Sequence, residues 1–147
     1  MNVFDAFYQT VHGTPGGCEA LAPRMGLSAA ILRNKANVNS LSNKPTLEDV
    51  DRAMGLTGDM SVLHALAANH SHVCVRVDAD AVSSDLAVLE LVTQVWTSNG
   101  DVGTEVNRTL ADGRVDREEI ERVRAAIYRT NQAMQQLAAR LEEMAEK

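Results

Sequence analysis

The sequence predicts an all-α protein: a five-helix N-terminal domain over residues 1–70, a linker or short strand over 71–80, and a C-terminal helical oligomerisation region over 81–147 with one long final helix. Three observations predict it. Apolar residues recur at three- and four-residue spacing along most of the chain. Glycines and helix-capping residues cut that pattern into short lengths before residue 70. The tail is then rich in Ala, Glu, Leu and Arg without a glycine or proline after Gly113. A chain of 147 residues, 45% hydrophobic and 23% charged, is long enough for one domain or two small ones with a real core.

In the first helix, Val3, Phe4, Phe7, Tyr8 and Val11 are spaced to bury one face, and Gly13-Thr14-Pro15-Gly16-Gly17 ends it. Cys18, Leu21, Ala22 and Met25 line a second helix, which Gly26 closes in the left-handed conformation. Ser28 caps a third, with Leu27, Ile31, Leu32 and Ala36 on its buried side and Ala29, Ala30, Arg33 and Asn34 on the other. A polar loop over 37–45 leads to Thr46, which caps a fourth helix carrying Leu47, Val50 and Met54 inward and stopped by Gly55 or Gly58. Asp59 opens a fifth, through Val62, Leu63, Leu66 and Ala67.

The period then changes. The valine-rich alternation HVCVRVD, residues 72–78, reads as a short strand or an extended linker and marks the domain boundary. Beyond it, Leu86, Leu89, Val92, Val95 and Trp96 line a helix that ends near Asn99-Gly100, followed by a shorter helix over 104–111 and a turn at Asp112-Gly113. Asp116 and Glu119 stand in capping-box spacing at the start of the final helix. Ile120, Val123, Ile127, Thr130, Met134, Leu137, Leu141 and Met144 then alternate by three and four, a heptad seam with one polar step. A helix of about 45 Å cannot hide that seam against neighbours half its length, so the apolar members, Ile120, Val123, Ile127, Met134, Leu137, Leu141 and Met144, are the expected oligomer interface.

Charge and chemistry narrow the function. The net charge is −6, but residues 79–147 hold eight basic and thirteen acidic side chains, so −5 of it lies there. Residues 18–45 set Arg24, Arg33, Lys35 and Lys44 against Glu19 alone, a local +3 that coincides with the second and third helices. No long apolar run or basic leader is present, so a cytoplasmic location is expected, with Cys18 and Cys74 reduced and the Asn-x-Ser/Thr matches at Asn69 and Asn107 unused. His70, His72 and Cys74 alternate but lack a fourth ligand, and the stretch from Asp112 to Glu119 supplies only the second half of a calcium loop, with Arg108 and Leu110 where leading carboxylates belong. No metal or cofactor is expected. His12 and His64 have no nucleophile or carboxylate pair beside them, which gives no catalytic residues and no enzyme.

The stretch LAPRMGLSAAILRNKAN, residues 21–37, has the small residue, glycine and flanking apolar positions of a helix-turn-helix, although two core helices meeting at Gly26 would share that spacing, and Pro23 and Lys35 depart from the usual pattern. On a helix-turn-helix, Ser28, Ala29, Ala30, Arg33 and Asn34 face the bases, since arginine pairs with guanine, asparagine with adenine and an alanine methyl with the thymine methyl. Gly17 at a helix N-terminus, Arg24, Lys35 and Lys44 are then the phosphate contacts. The alternative is a helical protein-interaction module or adaptor that never touches DNA. Salt dependence of DNA binding separates the two, because phosphate contacts release counterions.

The segments FDAFYQTVHGTPGGCEALAPRMGLSAAILRNKANVNS and TLEDVDRAMGLTGDMSVLHALA resemble the phage regulatory protein CII family of P2-type phages. The combination of T-V-H-x-x-P-G-G, L-A-x-R-x-G, L-R-N-K-A-N and L-T-G-D-x-x-x-L-H-A-L-A is far more specific than the bare helix-turn-helix spacing, and it covers residues 4–68. Pro23 and Lys35 are at home in that pattern. The resemblance implies a repressor-like DNA-binding domain in a transcriptional regulator that helps control lysogeny. It implies a homo-oligomer on repeated operator half-sites near an early phage promoter; a dimer or tetramer in a bacterial host is expected, with RNA polymerase as a further candidate partner, and the lack of a long apolar run predicts no membrane. Past residue 75 the resemblance fades, and the oligomer rests on the heptads.

Overall fold

A computed structural model describes residues 2–77 and 85–145, which form seven α-helices and, among the described residues, no strand. The chain divides into two compact units, Met1–Cys74 and Val75–Lys147. Among the described residues no helix is long and apolar enough to cross a membrane.

The first unit holds α1 (Val3–Gly13), α2 (Gly17–Arg24), α3 (Ala29–Ala36), α4 (Leu47–Thr57) and α5 (Ser61–Asn69). Its core is Phe7, Val11, Leu21, Met25, Leu32 and Val62, filled in with Ala6, Ala22, Ala36 and Ala53. The small residues matter because five helices of eight to eleven residues reach one another only where side chains are short. Thr10 is buried on α1, and its hydroxyl donates to Asp59 Oδ2 at 2.7 Å, so the buried polar atom is satisfied.

Several side chains expected inside lie outside. Phe4 and Tyr8 on α1, Ile31 on α3, Leu47 on α4, and Leu63 and Leu66 on α5 are all exposed. The buried positions are instead Ala6, Phe7, Thr10 and Val11 on α1, Leu32 and Ala36 on α3, Ala53 on α4, and Val62 and Ala65 on α5. Short helices bury a stripe only as wide as the neighbour that covers it.

The ends follow capping chemistry. Thr46 and Asp49 exchange the two hydrogen bonds of a capping box, and Gly58, not Gly55, ends α4 with a φ of 72°. Asp59 Oδ1 accepts from the Ser61 backbone N–H at 2.9 Å, so the residue expected to open α5 does so from two positions upstream. The Asp59 carboxyl is held below the usual carboxylate range by the Ser61 hydroxyl, against the effect of its burial, with the Thr10 hydroxyl, the Ser61 N–H and His64 adding to the effect. Residues 72–77 form no strand; Asp78 lies outside the described residues.

The second unit is a pair of long helices, α6 (Asp85–Thr109) and α7 (Arg117–Met144), joined by 110–116 and packed along each other. The predicted break near Asn99-Gly100 is absent: α6 runs through Gly100 and Gly103. Helical glycines cost about 1 kcal/mol each relative to alanine, and the packing of α6 along α7, with Leu91, Val95 and Val102 half-buried, offsets that cost. Asp112 Oδ1 accepts from the Arg114 N–H in the turn, and Asp116 with Glu119 forms the capping box that starts α7. At 25 residues α6 nearly matches the 28 of α7, about 38 Å against about 42 Å, so the expectation that α7 outruns its neighbours is overturned. What α7 buries is a neighbouring row, Ala126, Thr130, Ala133 and Arg140, and only Thr130 belongs to the predicted seam.

Candidate nucleic-acid interface

The connection between α2 and α3 is built from a complete glycine C-cap. Leu27 N–H donates back to the Ala22 carbonyl at 2.9 Å and Gly26 N–H to the Pro23 carbonyl at 3.1 Å, with Gly26 at φ 73°. Pro23 cannot donate to the Glu19 carbonyl, but it is the next-to-last residue of the helix, where the ladder is about to stop. Arg52, from α4, donates from Nη1 to the Met25 carbonyl at 2.7 Å and so ties the turn to the rest of the unit. At the other end of α2, Gly16 adopts φ 80°, and a Cβ there would lie 2.6 Å from the Ala20 Cβ. Only glycine fits. The sequence signal for Gly16, Gly17 and Gly26 is strong; nothing in it pointed to Arg52.

Ser28 caps α3, its Oγ accepting from the Ile31 N–H at 3.3 Å. Leu32 and Ala36 anchor the helix in the core. The open face then carries Ala30, Arg33 and Asn34, with Ser28 at its start and Asn37 at its end. Ala29 is not on that face; it packs half-buried against the core. Ile31, assigned to the core by spacing, is 43% exposed and adds an apolar contact to the open side. The stripe offers a guanidinium, an amide, a methyl and a branched alkyl group, and all four are among the groups that read base edges.

The cations are less free than their sequence suggests. Arg33 Nη2 pairs with Glu19 Oε1 of α2, both side chains mostly exposed. Lys35 Nζ donates to Asp49 Oδ2 at 2.6 Å, with the two side chains only 15% and 12% exposed. That pair is structural: burial works to raise the Asp49 carboxyl, and the Lys35 ammonium together with the Thr46 N–H and hydroxyl holds it below the usual range. Lys44 Nζ lies 4.6 Å from the Phe4 ring centre and donates to the Val38 carbonyl at 3.2 Å, fastening the 37–46 loop to α1. Arg24 lines a polar pocket with Gln9, Thr14, Thr57 and Asp59. It lies five residues from Glu19 on α2, about 140° around the helix from the edge that meets Arg33. The fold also brings Asp49 against Lys35 and pairs Glu48 with Arg52, and residues 18–52 hold five basic and four acidic side chains, a balance of +1 where 18–45 had +3. Charge counted along a window missed the acidic N-terminus of α4. Burial raises the Cys18 thiol, which Arg33 lowers in part, as suits an inert thiol beneath the α2–α3 crossing.

Elsewhere, His72 Nδ1 lies 2.6 Å from the His70 carbonyl oxygen, and the His12 ring packs at 4.3 Å on Tyr8. In the second unit Ile120, Ile127, Met134, Leu141 and Met144 are exposed, while Val123 and Leu137 are half-buried beside α6.

A family model described as phage regulatory protein CII (CP76) matches residues 2–144. It takes in both units, where the resemblance read from motifs faded past residue 75. No curated relative matches the chain.

Proposed function

Since the chain belongs to the phage regulatory protein CII family, we propose that it is a sequence-specific DNA-binding regulator of phage or prophage transcription, acting on lysogeny from repeated operator half-sites. The carrying observation is the open stripe of α3, Ser28, Ala30, Arg33 and Asn34, presented by a turn that a glycine cap and Arg52 hold in place. In this reading α2 and α3 form a helix-turn-helix and α3 enters the major groove. Arg33 exchanges Glu19 for guanine O6 and N7, Asn34 meets adenine, and Ala30 and Ile31 touch thymine methyls. The α2 N-terminus at Gly17 and the ammonium of Lys44 approach phosphates, with Arg24 following the backbone farther out. Lys35 serves from beneath, holding α3 to α4 through Asp49.

Two copies on one operator set half-sites one or more helical turns apart, about 34 Å each. The exposed apolar side of the second unit favours a second reading, a protein-interaction module without DNA. Fluorescence anisotropy of the protein on DNA fragments from around its own gene, at several salt concentrations and with Arg33→Ala, separates them. The regulator binds one fragment tightly and loses it on substitution, with affinity falling as salt rises. Weak, uniform binding to every fragment at low salt would overturn it.

A further inference from the structure

The two long helices each leave an apolar stripe uncovered. On α7, Ile120, Ile127, Met134 and Leu141 follow one another at seven-residue steps and are 40%, 43%, 45% and 51% exposed. On α6 the corresponding line runs Leu89, Trp96, Gly103 and, one residue past the helix, Leu110, with the three large side chains 66%, 73% and 60% exposed. The stripes are related. Each exposed residue comes one position after a member of the row that faces the other helix: Trp96 after Val95 and Gly103 after Val102 on α6, Ile127 after Ala126 and Met134 after Ala133 on α7. One residue is a rotation of about 100°, and in two antiparallel helices that face each other the same rotational sense points to the same side. The hairpin therefore has one mainly apolar face, which also carries Asn107 and Asn131, about 40 Å long and about two helix diameters wide, roughly 800 Å² and the size of one side of a stable interface.

We propose that this face pairs with the same face of a second copy of the chain in an antiparallel four-helix bundle, α6 on α6 and α7 on α7. The face carries its own complement. A two-fold axis crossing α6 between Asn99 and Gly100 sets Leu89 opposite Leu110 of the second copy and Trp96 opposite its Gly103. A Cβ at Gly103 would have nothing within 4 Å, so the largest side chain of one stripe meets the gap in the other. The Glu105–Arg122 contact at 3.7 Å fixes the level of α7 beside α6, and the same axis then crosses α7 near Ile127. There Ile127 meets its own mate and Ile120 meets Met134. An unrelated partner would have to reproduce both the seven-residue repeat and this order of large and absent side chains. The pairing gives geometry to the multi-copy regulator proposed above and depends on that reading only for its use on an operator.

Trp96 is the single tryptophan of the chain, so its emission reports this contact alone. Sedimentation equilibrium of the full-length protein is expected to show a dimer at micromolar concentrations, with Trp96 emission shifting to the red on dilution. Gly103→Gln fills the gap while favouring the helix, and is expected to weaken pairing by at least about tenfold with helicity retained. In a Cys74→Ser background, Asn99→Cys is expected to cross-link to its mate through a short bismaleimide. A monomer with water-exposed Trp96 emission throughout, or a Gly103→Gln protein that pairs as tightly as the parent, overturns the proposal. Pairing without the Asn99→Cys cross-link overturns the α6-on-α6 arrangement. DNA binding is read separately: a dimer that ignores every DNA fragment defeats the regulator and leaves the bundle standing.

Discussion

The five-helix unit buries Phe7, Leu21, Met25 and Leu32 almost completely. The two-helix unit, among its described residues, buries two alanines, two threonines and Arg140 while leaving Trp96, Leu89, Leu110 and Leu141 in water. Both units draw on chains of similar length and both are helical. They differ in how many helices surround the apolar side chains, because a helix whose apolar arc is wider than one neighbour needs a second neighbour to close it. Five short helices supply such neighbours within one chain. Two long ones do not, and the remainder of the arc becomes surface. The first unit closes its own core, and the second leaves one side of its apolar arc exposed.

Substitutions can break or sharpen that contrast. The largest effect belongs to Leu32→Ala, expected to lower the stability of the first unit by about 2–5 kcal/mol in urea unfolding, with a midpoint that does not move with protein concentration. The transition of the second unit should be unchanged by that substitution and should rise with concentration, as association requires. A first unit whose midpoint follows concentration would erase the distinction.

Asp49→Ala comes next, at about 2–4 kcal/mol, because it strands the shielded Lys35 and removes the carboxylate half of the α4 capping box in one step. The same carboxylates set a pH dependence. Asp49 and Asp59 both titrate below their ordinary range when folded, so the stability they add is fully present above the unfolded value of about 3.9 and is lost as pH falls through their folded values. Thermal melts between neutral pH and pH 3 should show the first unit weakening over that acidic window, and Asp49→Asn should flatten the fall.

On the proposed DNA-binding reading, Arg33→Ala should cost about 1–3 kcal/mol of binding at the operator fragment and little stability, since the side chain is 55% exposed. Competition against non-cognate DNA measures it. The smallest effect is Glu19→Gln, which removes the carboxylate paired with Arg33 and, on the proposed DNA-binding reading, should tighten DNA binding about two- to fivefold at low salt, the gain fading as salt rises.

Local chemistry was legible in the sequence wherever one segment decides the outcome. Ser28, Thr46 and Asp116 cap the helices their spacing assigns to them, and Gly26 closes α2 in the conformation its position requires. What could not be read depends on the approach of a distant segment. Asp49 meets Lys35 only because α4 returns past α3, and Arg52 reaches the Met25 carbonyl for the same reason. Ile31 has a core-like spacing, but nothing lies over that edge of α3. The error at Gly100 has the same origin: glycine weakens a helix by its own propensity, and the facing helix that offsets the weakness begins at Arg117.

The two glycines of α6 set an order of events during synthesis. The first unit is complete by Cys74 and has every side chain of its core once that residue has left the ribosome. The helix that follows carries Gly100 and Gly103 and is too weak to persist alone, so it stays a fluctuating coil until α7 emerges and lies against it. At about 5–20 residues per second that interval is a few seconds. A nascent chain therefore folds its first unit before the α6–α7 pair exists.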